Sequence, residues 1–211
     1  MNFDGPVTCL VTSGASRPSD FGRTRNGILA AIGAAVDAGV NIIQIREKHL
    51  SAKQLFDLST DALKITTPSD SLLVVNDRAD IALAAGADGV HLRSDSIPAA
   101  VVRGVVPNDF LIGVSTHSLT EIKAAKSSGA DFAFFGPVFS TPGKNVVVGI
   151  QELKRVAETV SPFPVIAIGG IDETNVQSVL SIGAAGFAAI RFMHNKSGLN
   201  MARRLRLKEK L

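Results

Sequence analysis

The chain has 211 residues, 45% hydrophobic and 19% charged, with a formal net charge of +3; this predicts a single domain with a full core and excludes an intrinsically disordered chain. No apolar run reaches the roughly 20 residues of a membrane span, and no basic segment leading into an apolar one marks a secretory signal. One cysteine, Cys9, excludes an internal disulfide and a cysteine-based zinc cluster, so the expected location is the cytoplasm. Much of the positive excess falls on Arg203, Arg204, Arg206, Lys208 and Lys210, on a terminal helix. With no Trp or Tyr to stack bases, neither nucleic acid nor a membrane is an expected partner.

A β-branched run at 7–12 opens the fold, and a polar loop over 13–26 carries Arg17, Arg23 and Arg25. Alanine-rich periodic sequence predicts a helix over 28–38, stopped by Gly39. The run 41–46 reads as a buried strand, and Ser51 caps a helix over 52–65 whose apolar positions are Leu55, Leu58, Ala62 and Leu63. Strands follow at 71–75, 89–92, 110–114, 132–135, 164–168 and 186–190. Helices alternate with them, one capped by Ser118, one over 150–160, one capped by Asp172 or Thr174, and the last over 198–210. Strands that are apolar throughout are buried on both faces, as in an all-parallel sheet. Eight strand–helix units predict a (β/α)8 barrel, a TIM barrel of one domain, with an open doubly wound sheet as the alternative.

The polar residues gather where the strands end. Gln44, Arg46 and Lys48 share one face of the second strand if it runs that far, since side chains alternate. An amide, a guanidinium and an ammonium together suit a site holding several phosphate oxygens; the plainer alternative is a strand that stops near Ile45 and a solvated turn beyond it. Asn76 and Asp77 follow the third strand, Arg93 and Asp95 the fourth, Ser115 and His117 the fifth, Thr141 and Lys144 the sixth, Gly169 and Gly170 the seventh, and Arg191 the eighth. All lie at the C-terminal ends, the face on which barrel enzymes carry their sites. Gly169-Gly170 before a capped helix reads as a phosphate cradle or simply as a tight turn. Asp77 and Asp95, neighbours at the barrel mouth, could hold magnesium together with diphosphate oxygens and water, or each could cap its own helix.

Six stretches, Gln-Ile-Arg-Glu-Lys (44–48), Asn-Asp-Arg (76–78), Gly-Val-His-Leu (89–92), Gly-Val-Ser-Thr-His (113–117), Phe-Gly-Pro-Val-Phe-x-Thr-x-x-Lys (135–144) and Ala-Ile-Gly-Gly-Ile (167–171), resemble the thiamine-phosphate synthase family in that order. The resemblance spans about residues 7–195. It implies coupling of hydroxymethylpyrimidine diphosphate to a thiazole phosphate, with pyrophosphate leaving first and the thiazole nitrogen capturing a pyrimidine carbocation. It assigns Gln44, Arg46, Lys48 and Asn76 to the pyrimidine diphosphate, and Ser115 and Lys144, beside Thr141, to the pyrophosphate or pyrimidine. Gly170, with Gly169, and the loop at Ile190-Arg191 would hold the thiazole phosphate. Asp77 would bind Mg2+, and Asp95 would stand in for a second aspartate that the family carries at the position of Ser96. The catalytic set it implies is Arg46, Lys48, Ser115, His117 and Lys144. The chain departs from the family pattern at Ser96, at Arg93-Ser94, at Arg191 and in the apolar loop 145–148. A thiazole tautomerase branch shares the superfamily and needs only a proton shuttle, for which His117 stands in place. A non-catalytic phosphate-binding homologue with a regulatory role is the third reading, and assembly into a homo-oligomer is left open.

Overall fold

Runs that are apolar on both faces need cover on both, and this chain supplies it by closing the sheet on itself inside a ring of helices. The computed structural model describes residues 5–143 and 146–208. The strands are β1 (Val7–Val11), β2 (Ile42–Ile45), β3 (Leu72–Asn76), β4 (Gly89–Leu92), β5 (Leu111–Thr116), β6 (Phe132–Phe135), β7 (Val165–Ile168) and β8 (Gly186–Ala189). They alternate with α1 (Phe21–Asp37), α2 (Ala52–Thr66), α3 (Ala79–Ala85), α4 (Ala99–Arg103), α5 (Leu119–Ser127), α6 (Ile150–Val160), α7 (Val176–Ser181) and α8 (Lys196–Lys208). Each strand pairs in parallel with the next, and β8 returns to β1 with Val7 opposite Gly186 and Leu10 opposite Ala189. That last pairing makes the sheet a closed (β/α)8 barrel and removes the open doubly wound alternative.

Strand alternation divides the core in two. One set of side chains, including Leu10, Ile43, Ile45, Leu73, Val75 and Phe135, packs outward against the helices. The other, Val7, Cys9, Val11, Ile42, Val74, Phe132, Phe134, Ile166 and Ala188, fills the barrel. Gly113 makes that filling possible. A Cβ there would stand 2.3 Å from the Phe132 ring and 2.7 Å from the His91 ring, so only glycine leaves room for both.

Local chemistry sets most helix boundaries. Ser51 and Gln54 form a reciprocal cap at the start of α2, the Ser51 hydroxyl accepting from Gln54 N and the Gln54 amide oxygen accepting from Ser51 N. Leu55, Leu58 and Ala62 then bury one face of that helix. Ser118 caps α5 as its sequence predicts. Two boundaries differ from the sequence expectation. α1 begins at Phe21 rather than residue 28, because buried Phe21 anchors its first turn and Arg25 pairs with Asp61 of α2. α7 begins only at Val176: Asp172 spends its carboxylate on Thr174 N and the Thr174 hydroxyl, and so forms a turn rather than a helix cap. No helix among the described residues is long and apolar enough to cross a membrane.

Candidate active site

The uppermost inward positions of the strands do not fill the barrel. Val11, Gln44, Asn76, His91, Ser115, Phe134, Ile168 and Ile190 form the floor and wall of a cavity of about 610 Å³ at the C-terminal mouth. Arg46, Lys48, Arg93, Asp95, His117, Thr141 and Gly169 complete its rim. β2 does end at Ile45, yet Arg46 and Lys48 still face the same cavity as Gln44. The backbone N–H of Arg46 donates to the buried Thr12 hydroxyl at 2.8 Å, which carries the alternation one residue past the strand.

The floor is polar, buried and incompletely satisfied. Asn76 and His91 are register partners across β3 and β4, and the Gln44 amide nitrogen sits 3.1 Å from the Asn76 carbonyl oxygen and 3.3 Å from His91 Nδ1. An amide N–H donating to Nδ1 makes Nδ1 the acceptor and puts the ring proton on Nε2. Gln44 Oε1 and His91 Nε2 then have no partner among the described residues, though both are buried. Buried polar groups are nearly always paired, so this acceptor and donor leave the floor with unused hydrogen-bonding capacity. The imidazole also stacks on Phe134, with ring centroids 4.1 Å apart.

Burial, aided by the positive charge of Arg46, pushes the His91 pKa down to about 3. His91 is therefore a neutral imidazole throughout the working range. Its folded pKa lies below the value near 6.5 of an unfolded chain, so the unfolded state binds more protons between those two values. Stability contributed by neutral His91 is complete above pH 6.5 and is lost as pH falls toward 3. Unfolding free energies from urea titrations between pH 7 and pH 4 should drop with a slope approaching about 1.4 kcal/mol per pH unit, and His91→Gln should flatten that slope. An unchanged slope in the variant would remove His91 as its source.

The cations at the rim are held by neighbouring loops. Burial lowers the Arg46 pKa, Glu47 opposes that shift and the charge of Arg93 adds to it. Glu47 points the opposite way from Arg46. It is almost fully buried and accepts from Gly14 N at 3.0 Å and Ser16 N at 3.1 Å, tying the loop after β1 to the end of β2.

Asp77 occupies a left-handed backbone conformation, φ 62°, and its N–H donates to the His91 carbonyl. One carboxylate oxygen lies 3.6 Å from Arg93; the other is buried with no partner among the described residues. Arg93 also pairs with Asp95. Asp95 lines the main cavity, whereas Ser96 faces a neighbouring cleft between α4 and α5. Among the described residues no three His, Cys, Asp or Glu side chains are grouped to hold a metal by themselves. The orphaned Asp77 oxygen and nearby Asp95 nevertheless fit a magnesium ion that takes its remaining ligands from diphosphate and water.

The other sequence-derived candidates divide. Ser115 and Thr141 reach the cavity, and His117 joins them with Nδ1 bonded to the Gly136 carbonyl oxygen. Lys144 lies outside the described residues. Arg191 is exposed and absent from the cavity lining; β8 stops at Ala189, and Phe192 and Met193 beyond it are buried again. Gly169 lines the cavity, but Gly170 does not. The space a Cβ would take at Gly170 is filled by Ser140 O, 2.4 Å away, and by Phe139. Its missing side chain therefore admits the loop after β6. His91 and Glu47 are the site residues to which the sequence reading gave no role, and Arg93, named there among the strand-end polar residues, had no ligand or partner assigned. Alternation places His91 and Arg93 on the inward face, but nothing local predicts the partners of Glu47.

The family model described as thiamine monophosphate synthase matches residues 10–193. A thiamine-phosphate synthase of Archaeoglobus fulgidus is 42% identical over 82% of this chain and 80% of its own length. One from Caldicellulosiruptor bescii is 41% identical over 74% of this chain and 72% of its own. The solved structure of thiamine phosphate pyrophosphorylase from Pyrococcus furiosus superposes with a TM-score of 0.82 at 30% identity, covering 99% of this chain and 98% of that one. A closed barrel carrying this set of strand-end motifs, matched by that model over most of its length, belongs to the thiamine monophosphate synthase family.

Proposed function

We propose that the chain is a thiamine-phosphate synthase, joining hydroxymethylpyrimidine diphosphate to a thiazole phosphate with release of pyrophosphate. The observation that carries this reading is the pairing of a cationic rim, Arg46, Lys48 and Arg93, with a neutral polar floor, buried Gln44 and His91 and half-buried Asn76. A diphosphate needs the first. A heteroaromatic ring with its own donors and acceptors needs the second, in which Gln44 Oε1 and His91 Nε2 lack partners among the described residues.

In the reaction the pyrimidine methylene C–O bond breaks, its electron pair leaves with pyrophosphate, and the thiazole nitrogen forms the new C–N bond. Arg46, Lys48 and Arg93 bind the leaving group and stabilise the charge that builds on it. Gln44 and Asn76 hold the pyrimidine so that the methylene faces the cavity, and Phe134 supplies an apolar surface beside it. Ser115 and Thr141 reach the cavity from β5 and the loop after β6, while Gly169 and Ile190 border the region for the thiazole phosphate. Asp77 and Asp95 would hold magnesium, which when bound would add further neutralisation of the leaving group. The rest of the rate enhancement comes from placing the two reactants in one cavity.

The tautomerase reading has one observation in its favour. With Nδ1–H donating to Gly136 O, His117 exposes Nε2 as a proton acceptor. One pair of assays separates the two. Wild-type protein given both substrates and magnesium should release pyrophosphate, and His117→Ala should retain this to within about tenfold, because no proton transfer limits the coupling. A general base would be worth roughly 10²–10⁴-fold. Isomerisation of a thiazole carboxylate phosphate without any pyrophosphate release, lost in His117→Ala, would overturn the synthase assignment.

A further inference from the structure

Arg93 makes two contacts that compete with the chemistry of the site. Its guanidinium lies 3.6 Å from Asp77 and is paired with Asp95, the two carboxylates suited to magnesium. The same side chain lines the main cavity, and its charge is felt at Arg46. It thus touches both carboxylates and lines the same cavity in which Arg46 and Lys48 would hold a diphosphate. A cation already sits where a second cation has to bind.

We propose that Arg93 is a diphosphate-binding residue stored on the metal carboxylates, so that metal and diphosphate enter the site together. This rests on the synthase reading of the cavity. In the ligand-free protein the guanidinium neutralises Asp77 and Asp95 and holds both at the mouth. The Arg93 side chain is 46% exposed and that of Asp95 65% exposed, and ion pairs this open to water contribute little. A planar guanidinium offers a better match to two phosphate oxygens, with parallel charge-assisted hydrogen bonds. When diphosphate arrives, Arg93 turns to it, and both carboxylates become free for magnesium. No third acidic ligand exists among the described residues to hold the ion in the absence of the phosphate. The exchange explains why an arginine is compatible with a site built for a divalent cation: it keeps the carboxylates occupied until the leaving group is in place.

Two binding measurements on the full chain test this without reference to turnover. Mn2+ alone is titrated by electron paramagnetic resonance, and inorganic pyrophosphate alone, in chelator, by calorimetry. Wild-type protein should bind pyrophosphate readily and Mn2+ weakly. Arg93→Gln should bind Mn2+ about fivefold or more tightly than wild type and pyrophosphate about tenfold more weakly, the scale of an ordinary coupling between sites. Arg93→Lys keeps the charge and loses the fork, so it should keep Mn2+ binding weak and recover pyrophosphate only in part. Opposite movement of the two affinities in Arg93→Gln is the signature. If neither affinity moves, or both fall together, Arg93 is not a stored diphosphate ligand. Wild-type protein that binds no pyrophosphate would instead defeat the synthase reading on which the proposal rests.

Discussion

Asp77→Asn is expected to lower pyrophosphate release by about 10³-fold, the upper range for loss of one electrostatic stabiliser of a developing anion. The fold should be untouched. Asparagine is as tolerant as aspartate of the left-handed backbone at φ 62°. The N–H bond to the His91 carbonyl belongs to the backbone and survives. What the wild-type protein carries here is a buried carboxylate oxygen without a partner among the described residues and an ion pair to a half-exposed arginine at 3.6 Å. Removing that charge relieves a desolvated oxygen and gives up an interaction worth roughly 0–1 kcal/mol. The thermal midpoint should therefore stay the same or rise slightly. Such a split between activity and stability marks a residue kept for function. Pyrophosphate release above one tenth of wild type, in a variant of unchanged midpoint, would exclude Asp77 as the principal magnesium ligand.

The barrel was legible because its signal is periodic. Eight apolar runs separated by helical segments admit few arrangements, and the closing pair of β1 with β8 follows from the count. The mouth was legible for the same reason: alternation places Gln44 and Arg46 on one side and Asn76 on the same side one strand away. Where local sequence and tertiary packing disagree, the reading fails. The segment before residue 28 carries glycine at 22 and 27 and reads as a loop, yet Phe21 and the Arg25–Asp61 pair turn it into helix. Gly170 reads as a bare approach for an anion, and the sequence does not show that Ser140 and Phe139 close on the space a Cβ there would take. Arg191 follows a strand, but β8 ends at Ala189 and Arg191 is exposed, outside the cavity lining. Glu47 is the most instructive case. Its neighbours in sequence suggest a solvated charge, while its hydrogen bonds go to Gly14 and Ser16, a loop that only the folded chain brings alongside.

Arg46→Ala is expected to weaken binding of the pyrimidine diphosphate roughly 10- to 100-fold, corresponding to about 1.5–3 kcal/mol for lost hydrogen bonds to a charged group. The loss should appear in substrate affinity far more than in stability. The Arg46 bond to the Thr12 hydroxyl is made by its backbone N–H and persists after truncation. Glu47 keeps its two donors, so the loop over Gly14 stays in place. Lysine is a poor substitute. The guanidinium lies where a side chain on Gly14 would stand, its Nη1 2.9 Å from that point, and this packing directs a planar fork at the cavity that an ammonium lacks. Arg46→Lys should thus recover only a small part of the affinity. His91 remains neutral in either variant, because burial is the larger cause of its low pKa and Arg46 the smaller. Calorimetric titration of each folded variant with the pyrimidine diphosphate gives the answer directly, and an Arg46→Ala protein binding as tightly as wild type would remove Arg46 from the substrate site.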